Sequence, residues 1–431
     1  MKVMAVLLVG VLFVQAQWII DTVETGIANY SKSYIVLDPA NDPHIAYLPC
    51  YTNNLKYAKW EYNMWRLATV TDDAYTTAGG PTLALCLALS DGAYPYITYT
   101  AGTASFQRLK IASYNGVDWD TLHIDGPHAP KASLVLIDSG GPPCVGYQYN
   151  TFQKFAIHQG SVWFYDTIGD GSYQSGKVSL CLDNIGTYHY VYDINSYIIY
   201  AKSTPTNWVI DTIDQGTYTS MKLDDNNLPC LAYTKPSNTD LWYTCYNGSN
   251  WVPTQVDTGC GSGPQLIAPS MDLDSYGHVH ICYLQQTGTS GIYRLKYAYY
   301  NGALWYYEVV DEGFAWHVPS LAVTGSGSVH ISYFDGSALL HAYRDPVGIF
   351  ENDISIKNGV NNVRITAQPN PFTNYTTIRD FETAYFDLYD ISGRHISIYK
   401  GAQIGANIPA GVYFIKPSGK KVDFLRIIKI Q

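Results

Sequence analysis

The chain has 431 residues, 26 Lys/Arg against 36 Asp/Glu for a net charge of −10, 39 Tyr, and only 14% charged residues. That balance argues against nucleic acid and anionic membrane surfaces as partners, since both are bound through clustered Lys and Arg. The length exceeds one ordinary domain of ~100–200 residues and suits one large repeat domain with an appendage.

The first sixteen residues, Met1–Ala16, combine a basic start (Lys2), an apolar run "MAVLLVGVLFV" and a small-residue exit "VQA". This pattern predicts a secretory leader cleaved after Ala16. Its apolar run is about half the ~20 residues a membrane span requires, and no later stretch is long and apolar enough, so the mature chain is predicted to lack a transmembrane span.

Seven segments then share one phrase: an apolar strand, a tight Asp/Gly/Asn turn, and a second strand ending in Tyr. Examples are "YIVLDPANDPHIAY" (34–47), "SMKLDDNNLPCLAY" (220–233) and "SMDLDSYGHVHICY" (270–283). The closing tyrosines are Tyr47, Tyr99, Tyr147, Tyr192, Tyr233, Tyr283 and Tyr333, spaced by 41 to 52 residues. In most copies a third strand follows ("LKYAKW", "LKYAYYNG"). A Trp then opens a fourth strand ending in a "VD"-like step: Trp65, Trp119, Trp163, Trp208, Trp251 and Trp305. Four short antiparallel strands per ~45–50 residues is the period of a β-propeller blade, and no helical period competes.

The seventh copy stops at "ALLHAYRD" (338–345) without its Trp strand, while the mature N-terminus opens on an orphan "WIIDT". This predicts a seven-bladed propeller over 17–345, closed when Trp18–Thr22 supplies the missing outer strand. Closure hides exposed sheet edges. The recurring Tyr and Trp read as packing between blades. His44, His189, His280 and His330 share one second-strand position filled elsewhere by Tyr96, Cys144 and Cys230, which reads as packing with a hydrogen bond. Turn acids such as Asp38, Asp183, Asp224 and Asp274 read as turn formers.

Eight Cys in an exported chain lie mostly within apolar strands and read as buried thiols, except Cys230 and Cys245, which fall opposite each other on one hairpin and suit a bridge. With no CxxC or HxxxH spacing and no glycine-rich phosphate loop, the sequence calls for no metal site and no cofactor.

From residue 364 the chain holds nine Lys/Arg against five Asp/Glu, leaving −14 for the remainder, and all ten Trp and eight Cys precede that point. A boundary is therefore expected at 346–363, with a separate small β-sandwich at 364–431 on a polar linker. Its motifs "PNPFTNYTTI" (369–378), "FDLYDISGR" (386–394), "IPAGVYFIK" (408–416) and "FLRIIKI" (424–430) come in fixed order. On those motifs the segment resembles the type A C-terminal sorting domain of the type IX secretion system. The resemblance implies a partner, the type IX secretion machinery, and export across the outer membrane. Arg426 stands where the pattern has Lys, and both release and surface attachment stay open. The blade phrase over 18–345 is likewise similar to propeller repeats of exported bacterial proteins with such tails; that resemblance implies the fold and no activity.

Function is sought in the loops that break the repeat, because rigid repeat frames carry function there. Connections from the fourth strand to the next first strand hold Tyr30, Tyr75, His128, Tyr173, Tyr218, and Trp316 with His317. Aromatic faces stack on the C–H faces of sugars, so Tyr75, His128, Tyr173, Tyr218, Trp316 and His317 are the expected ligand ring, suited to neutral glycans. Capping of blade edges is the competing account of each residue. A binding module for an extracellular glycan is the first expectation, and a structural or adhesive protein that meets other proteins is the second. A sialidase-like hydrolase ranks third, because the propeller shows no Asp box and only four Arg: Arg66, Arg108, Arg294 and Arg344. No catalytic residue is assigned.

Overall fold

A computed structural model describes residues 18–27, 31–75, 84–103, 105–126, 131–136, 141–170, 177–235, 240–260, 268–288, 292–314 and 318–345. In the C-terminal part it describes 354–358, 361–365, 367–368, 373–378, 384–390, 394–401, 403–418 and 425–429. Among them there is no helix, and so none long and apolar enough to cross a membrane. The expected leader lies outside the described residues.

Gln17–Arg344 form one compact unit, and Asp345–Gln431 belong to another. The first holds seven four-stranded antiparallel sheets. Blades 1 to 6 are continuous in sequence and run over 32–71, 85–125, 131–170, 179–215, 217–257 and 270–314. Blade 7 takes Ser320–Val323, Val329–Phe334 and Ala338–Arg344, and its fourth strand is Ile19–Thr25 from the other end of the chain. The seven first strands neighbour one another in a closed cycle, blade 7 meeting blade 1. The chain is therefore a seven-bladed propeller closed by its N-terminal strand, as the orphan phrase predicts.

Inner strands are joined by one repeated hydrogen bond. Ser133, Ser179, Ser220, Ser270 and Ser320 each accept, at 3.0–3.3 Å, the backbone N–H of the next blade's inner strand: Leu180, Met221, Met271, Leu321 and Ile35. In blade 2 the Cys86 thiol takes that place against Leu134. In blade 1 the same register position is Tyr34. Small polar residues fit because the inner strands crowd toward the axis, and a buried N–H left unmatched would cost about 1–3 kcal/mol.

Tryptophans at the start of the fourth strands wedge against the preceding blade. Trp119 meets Tyr57, Trp208 meets Phe155, Trp251 meets Tyr200, Trp305 meets Tyr243 and Trp65 meets His341, with ring centroids 5.2–5.8 Å apart. Trp18 does the same for blade 7 against Tyr297, at 5.4 Å and edge-on. Cys230 and Cys245 pair directly across neighbouring strands and form a disulfide.

In the second unit, strands His395–Lys400, Tyr385–Asp390, Gly411–Pro417 and Leu425–Lys429 make a four-stranded antiparallel sheet in that spatial order. Phe386, Leu388, Tyr413 and Ile415 of the sheet share a core with Ile378, Ile404 and Ile408. This core thus draws on apolar positions of the first three sequence motifs, Ile378, Phe386, Leu388, Ile408, Tyr413 and Ile415, together with Ile404.

Candidate functional site

Antiparallel order puts two kinds of connection at opposite ends of every blade. Turns between first and second strands lie at one end, here the turn end. Links from a fourth strand to the next first strand lie at the other, the loop end.

At the turn end, Asp38 accepts N–H bonds from Ala40 and Asp42 on one carboxylate oxygen, while its other oxygen faces His44 Nε2 at 3.4 Å. His44 Nδ1 meets the Tyr57 hydroxyl. Blade 4 repeats the set with Asp183, His189 and Tyr200, and blade 6 with Asp274, His280 and Tyr297. Asp274 also binds His278 Nδ1 at 2.8 Å. Burial, partly opposed by Asp38, lowers the His44 imidazole to about 4; burial also lowers His189 and His280. Every polar atom of these sets that faces inward has a partner within the blade. They tie turn to sheet, as the sequence reading of these His and Asp positions expects. Among the described residues no group of three His, Cys, Asp or Glu side chains could hold a metal ion.

At the loop end the tyrosine ladder finds partners the sequence reading did not assign. Six of the seven hydroxyls donate to a carboxylate at the end of the preceding blade's fourth strand, at 2.6–3.0 Å: Tyr47 to Glu24, Tyr99 to Asp73, Tyr147 to Asp125, Tyr233 to Asp214, Tyr283 to Asp257 and Tyr333 to Asp311. A lysine from the tyrosine's own blade joins five of these pairs: Lys56, Lys110, Lys154, Lys235 and Lys296. Each of these five acids therefore neutralises a cation and orders a phenol of the next blade. Burial raises Asp73 and Asp214 but their bonds to Lys and Tyr outweigh it, so both carboxyls end below the ordinary range. The signal was present in the recurring "LK" and "VD" steps. It was unreadable because the partners belong to different repeats.

Two of the expected ligand residues are described. Tyr75 is half-buried at the loop end after blade 1; its N–H donates to Thr100 O at 2.8 Å, and its ring packs on the core shared by blades 1 and 2. Tyr218 begins the inner strand of blade 5, half-buried, with φ of 57° where the register slips between Thr217 and Ser220. Burial, reinforced by Asp193, pushes its phenol up to about 12. A bulky side chain in left-handed backbone is uncommon, and a bulge there re-aims it relative to the strand alternation. His128, Tyr173, Trp316 and His317 lie outside the described residues, as does Tyr30. The inner strands also carry Lys222 and Asp272, with Lys177 just before that of blade 4; sequence pattern alone did not single out the two lysines.

No protein-family model matches the chain. No curated protein matches it in sequence either. Among solved structures it is similar to AofleA from Arthrobotrys oligospora (14% identity, 69% of this chain and 91% of that one, TM-score 0.45). It is similar to the SapL1 lectin in complex with α-methyl fucoside (12% identity, 62% and 96%, TM-score 0.44). An ulvan lyase of polysaccharide lyase family PL25 is similar at 9% identity (76% and 96%, TM-score 0.49). All three fall below 0.5 in TM-score, too distant to transfer a ligand or an activity to this chain.

Proposed function

We propose that this chain is an exported binding module whose propeller takes an extracellular glycan at its loop end, delivered by a type IX sorting domain at 364–431. Tyr75, His128, Tyr173, Tyr218, Trp316 and His317 are the ligand ring in this reading, and the leader Met1–Ala16 and the sorting domain are removed on export. The observation that carries it is Tyr218: half-buried, aromatic, and held with a left-handed backbone at a bulge on the loop end. Such backbone costs about 1–3 kcal/mol and clusters at ligand sites, where the aim of the side chain matters more than its comfort. Glycan binding is tested on an array with the purified propeller and its Tyr218→Ala/Trp316→Ala variant. Retention by the parent and at least tenfold weaker retention by the variant, at an unchanged melting temperature, is the expected result. Equal retention removes the ring from the site. Intact mass of the protein from medium or cell surface checks the processing.

A second reading, an adhesive protein that meets other proteins, is favoured by the perimeter. Every blade's fourth strand exposes a large apolar side chain: Leu67, Leu122, Phe164, Val209, Val252, Tyr307 and Ile19. Exposed apolar side chains recurring on every outer strand offer a protein partner repeated contacts around the ring. A blank glycan array, with surface adhesion lost on Phe164→Asp, selects it.

A further inference from the structure

The inner strands place a set of polar side chains on the propeller axis. Tyr34 of blade 1 lies within electrostatic reach of Cys86 of blade 2, Cys181 of blade 4 and Asp272 of blade 6. Lys177, just before the inner strand of blade 4, is likewise within reach of Cys86, of Cys282 on blade 6, and of Lys222 on blade 5. Side chains from non-adjacent blades of a ring can act on one another only across its centre. These residues therefore face a common axial space.

That space admits water. Lys222 is encircled by the seven inner strands, yet 42% of its side chain remains accessible. Its ammonium pairs with Asp272 Oδ1 at 3.0 Å. The same carboxylate is otherwise committed: Oδ1 also accepts the Leu273 N–H at 3.0 Å, and Oδ2 accepts the Val323 N–H at 3.1 Å. Asp272 thus balances Lys222 and has nothing left for a second cation.

Lys177 has no such balance. Among the described residues its ammonium makes no ion pair or hydrogen bond, and the groups within reach of it are the Cys86 and Cys282 thiols and the like-charged Lys222. Burial raises both thiols, Cys282 to about 12, so they stay protonated and supply no negative charge. Burial lowers the Lys177 ammonium itself, which records the cost of an amine left without a counter-ion in a confined space. Lys177 is half-buried, and a cation withdrawn from water is ordinarily paired.

We infer that the axial channel is a binding site for a small oxyanion, a carboxylate or sulfate group, received by the Lys177 ammonium with Lys222 beside it. An oxyanion supplies the missing countercharge and accepts from the ammonium protons, as charge-assisted bonds favour. The group could belong to an acidic sugar reaching in from the loop end or to a free anion. The inference rests on the axial geometry and survives failure of the aromatic ring.

Calorimetric titration of the full chain with sodium glucuronate, inorganic sulfate and neutral methyl glucoside tests it. Saturable binding of glucuronate or sulfate is expected, with at least tenfold loss in Lys177→Met and retention in Lys177→Arg. Because Lys177 pairs with no acid among the described residues, Lys177→Met should melt no lower than the parent, which separates lost binding from lost fold. Glucuronate without sulfate assigns the site to an acidic sugar, and sulfate at equal strength assigns it to free oxyanions. No saturable anion binding, or equal affinity for Lys177→Met and the parent, overturns the inference. So does methyl glucoside binding as tightly as glucuronate.

Discussion

Blades 1, 4 and 6 bury a histidine between an aspartate and a tyrosine, whereas blade 7 buries two histidines against each other. In blade 7 the turn residue is Thr324, whose hydroxyl accepts the Ser328 N–H and so closes the turn as aspartate does. It has no second oxygen for His330. The register position of Tyr57, Tyr200 and Tyr297 is filled there by His341, and His330 Nδ1 meets His341 Nε2 at 3.1 Å with the rings stacked. Losing one carboxylate thus changes the network and leaves the strand pairing intact. The lesson is that the sheet sets the blade, while the side-chain network sets how the blade responds to load and to acid.

Blade 7 is also the only blade whose fourth strand is not continuous with its third. Its hold on that strand comes from Val23, which is buried, from Glu24 clasping Tyr47 and Lys56 of blade 1, and from Trp18. Removing residues 17–24 takes away all three and bares a sheet edge. Burial of the Val and Trp side chains alone is worth about 1.5–3 kcal/mol each. The truncated propeller should melt as a whole at a much lower temperature, read by near-ultraviolet circular dichroism. An unchanged melting temperature would mean that the ring does not depend on its closing strand.

A smaller and sharper test sits at the same junction. Trp18 Nε1 donates to Glu308 Oε2 at 3.0 Å, and Glu308 pairs with Arg344, which is 1% exposed and lies over the rings of Trp18 and Tyr297. Glu308→Gln leaves a buried guanidinium without countercharge, a loss of about 3–5 kcal/mol. Replacing both partners, Glu308→Met with Arg344→Met, should recover most of it, because the pair's desolvation cost goes with the charges. Urea unfolding measures both. A single-variant loss below about 1 kcal/mol would show that the junction is held by apolar packing alone.

How far the sequence could be read follows from these particulars. Closure was legible because "WIIDT" is the one fourth strand standing out of order, and a repeat with a missing part announces where that part must go. The Tyr and Trp ladders were legible as packing, yet their carboxylate and lysine partners were not, since each pair joins two repeats whose mutual register only the ring determines. The Cys230–Cys245 bridge was legible because both lie within one hairpin. Of the expected ligand residues, Tyr218 could be named but not its left-handed backbone: tyrosine has no preference for it, and the bulge at Thr217–Ser220 imposes it. Lys177 was the least visible, for its significance depends on which side chains of distant blades face it across the axis.

The smallest expected effect concerns acid. His341 is buried, with His330 and Trp65 against its ring and Asp21 Oδ2 3.9 Å from Nδ1. Burial, then the neighbouring His330, brings its imidazole down to about 3. An unfolded histidine titrates near 6.5, so folding favours the neutral ring. Its contribution to stability is complete above about pH 6.5 and is lost progressively as pH falls toward 3. The aspartate-held histidines lose stability in the same direction, but there a carboxylate attracts the incoming proton, whereas at His341 the closest titratable neighbour is a second imidazole. His341→Tyr restores the residue that blades 1, 4 and 6 carry at this position. It should leave the melting temperature at pH 7.5 within a few degrees of the parent and flatten its fall between pH 6.5 and 4. Equal slopes for variant and parent would place the acid response in the other blades and remove the closing blade from it.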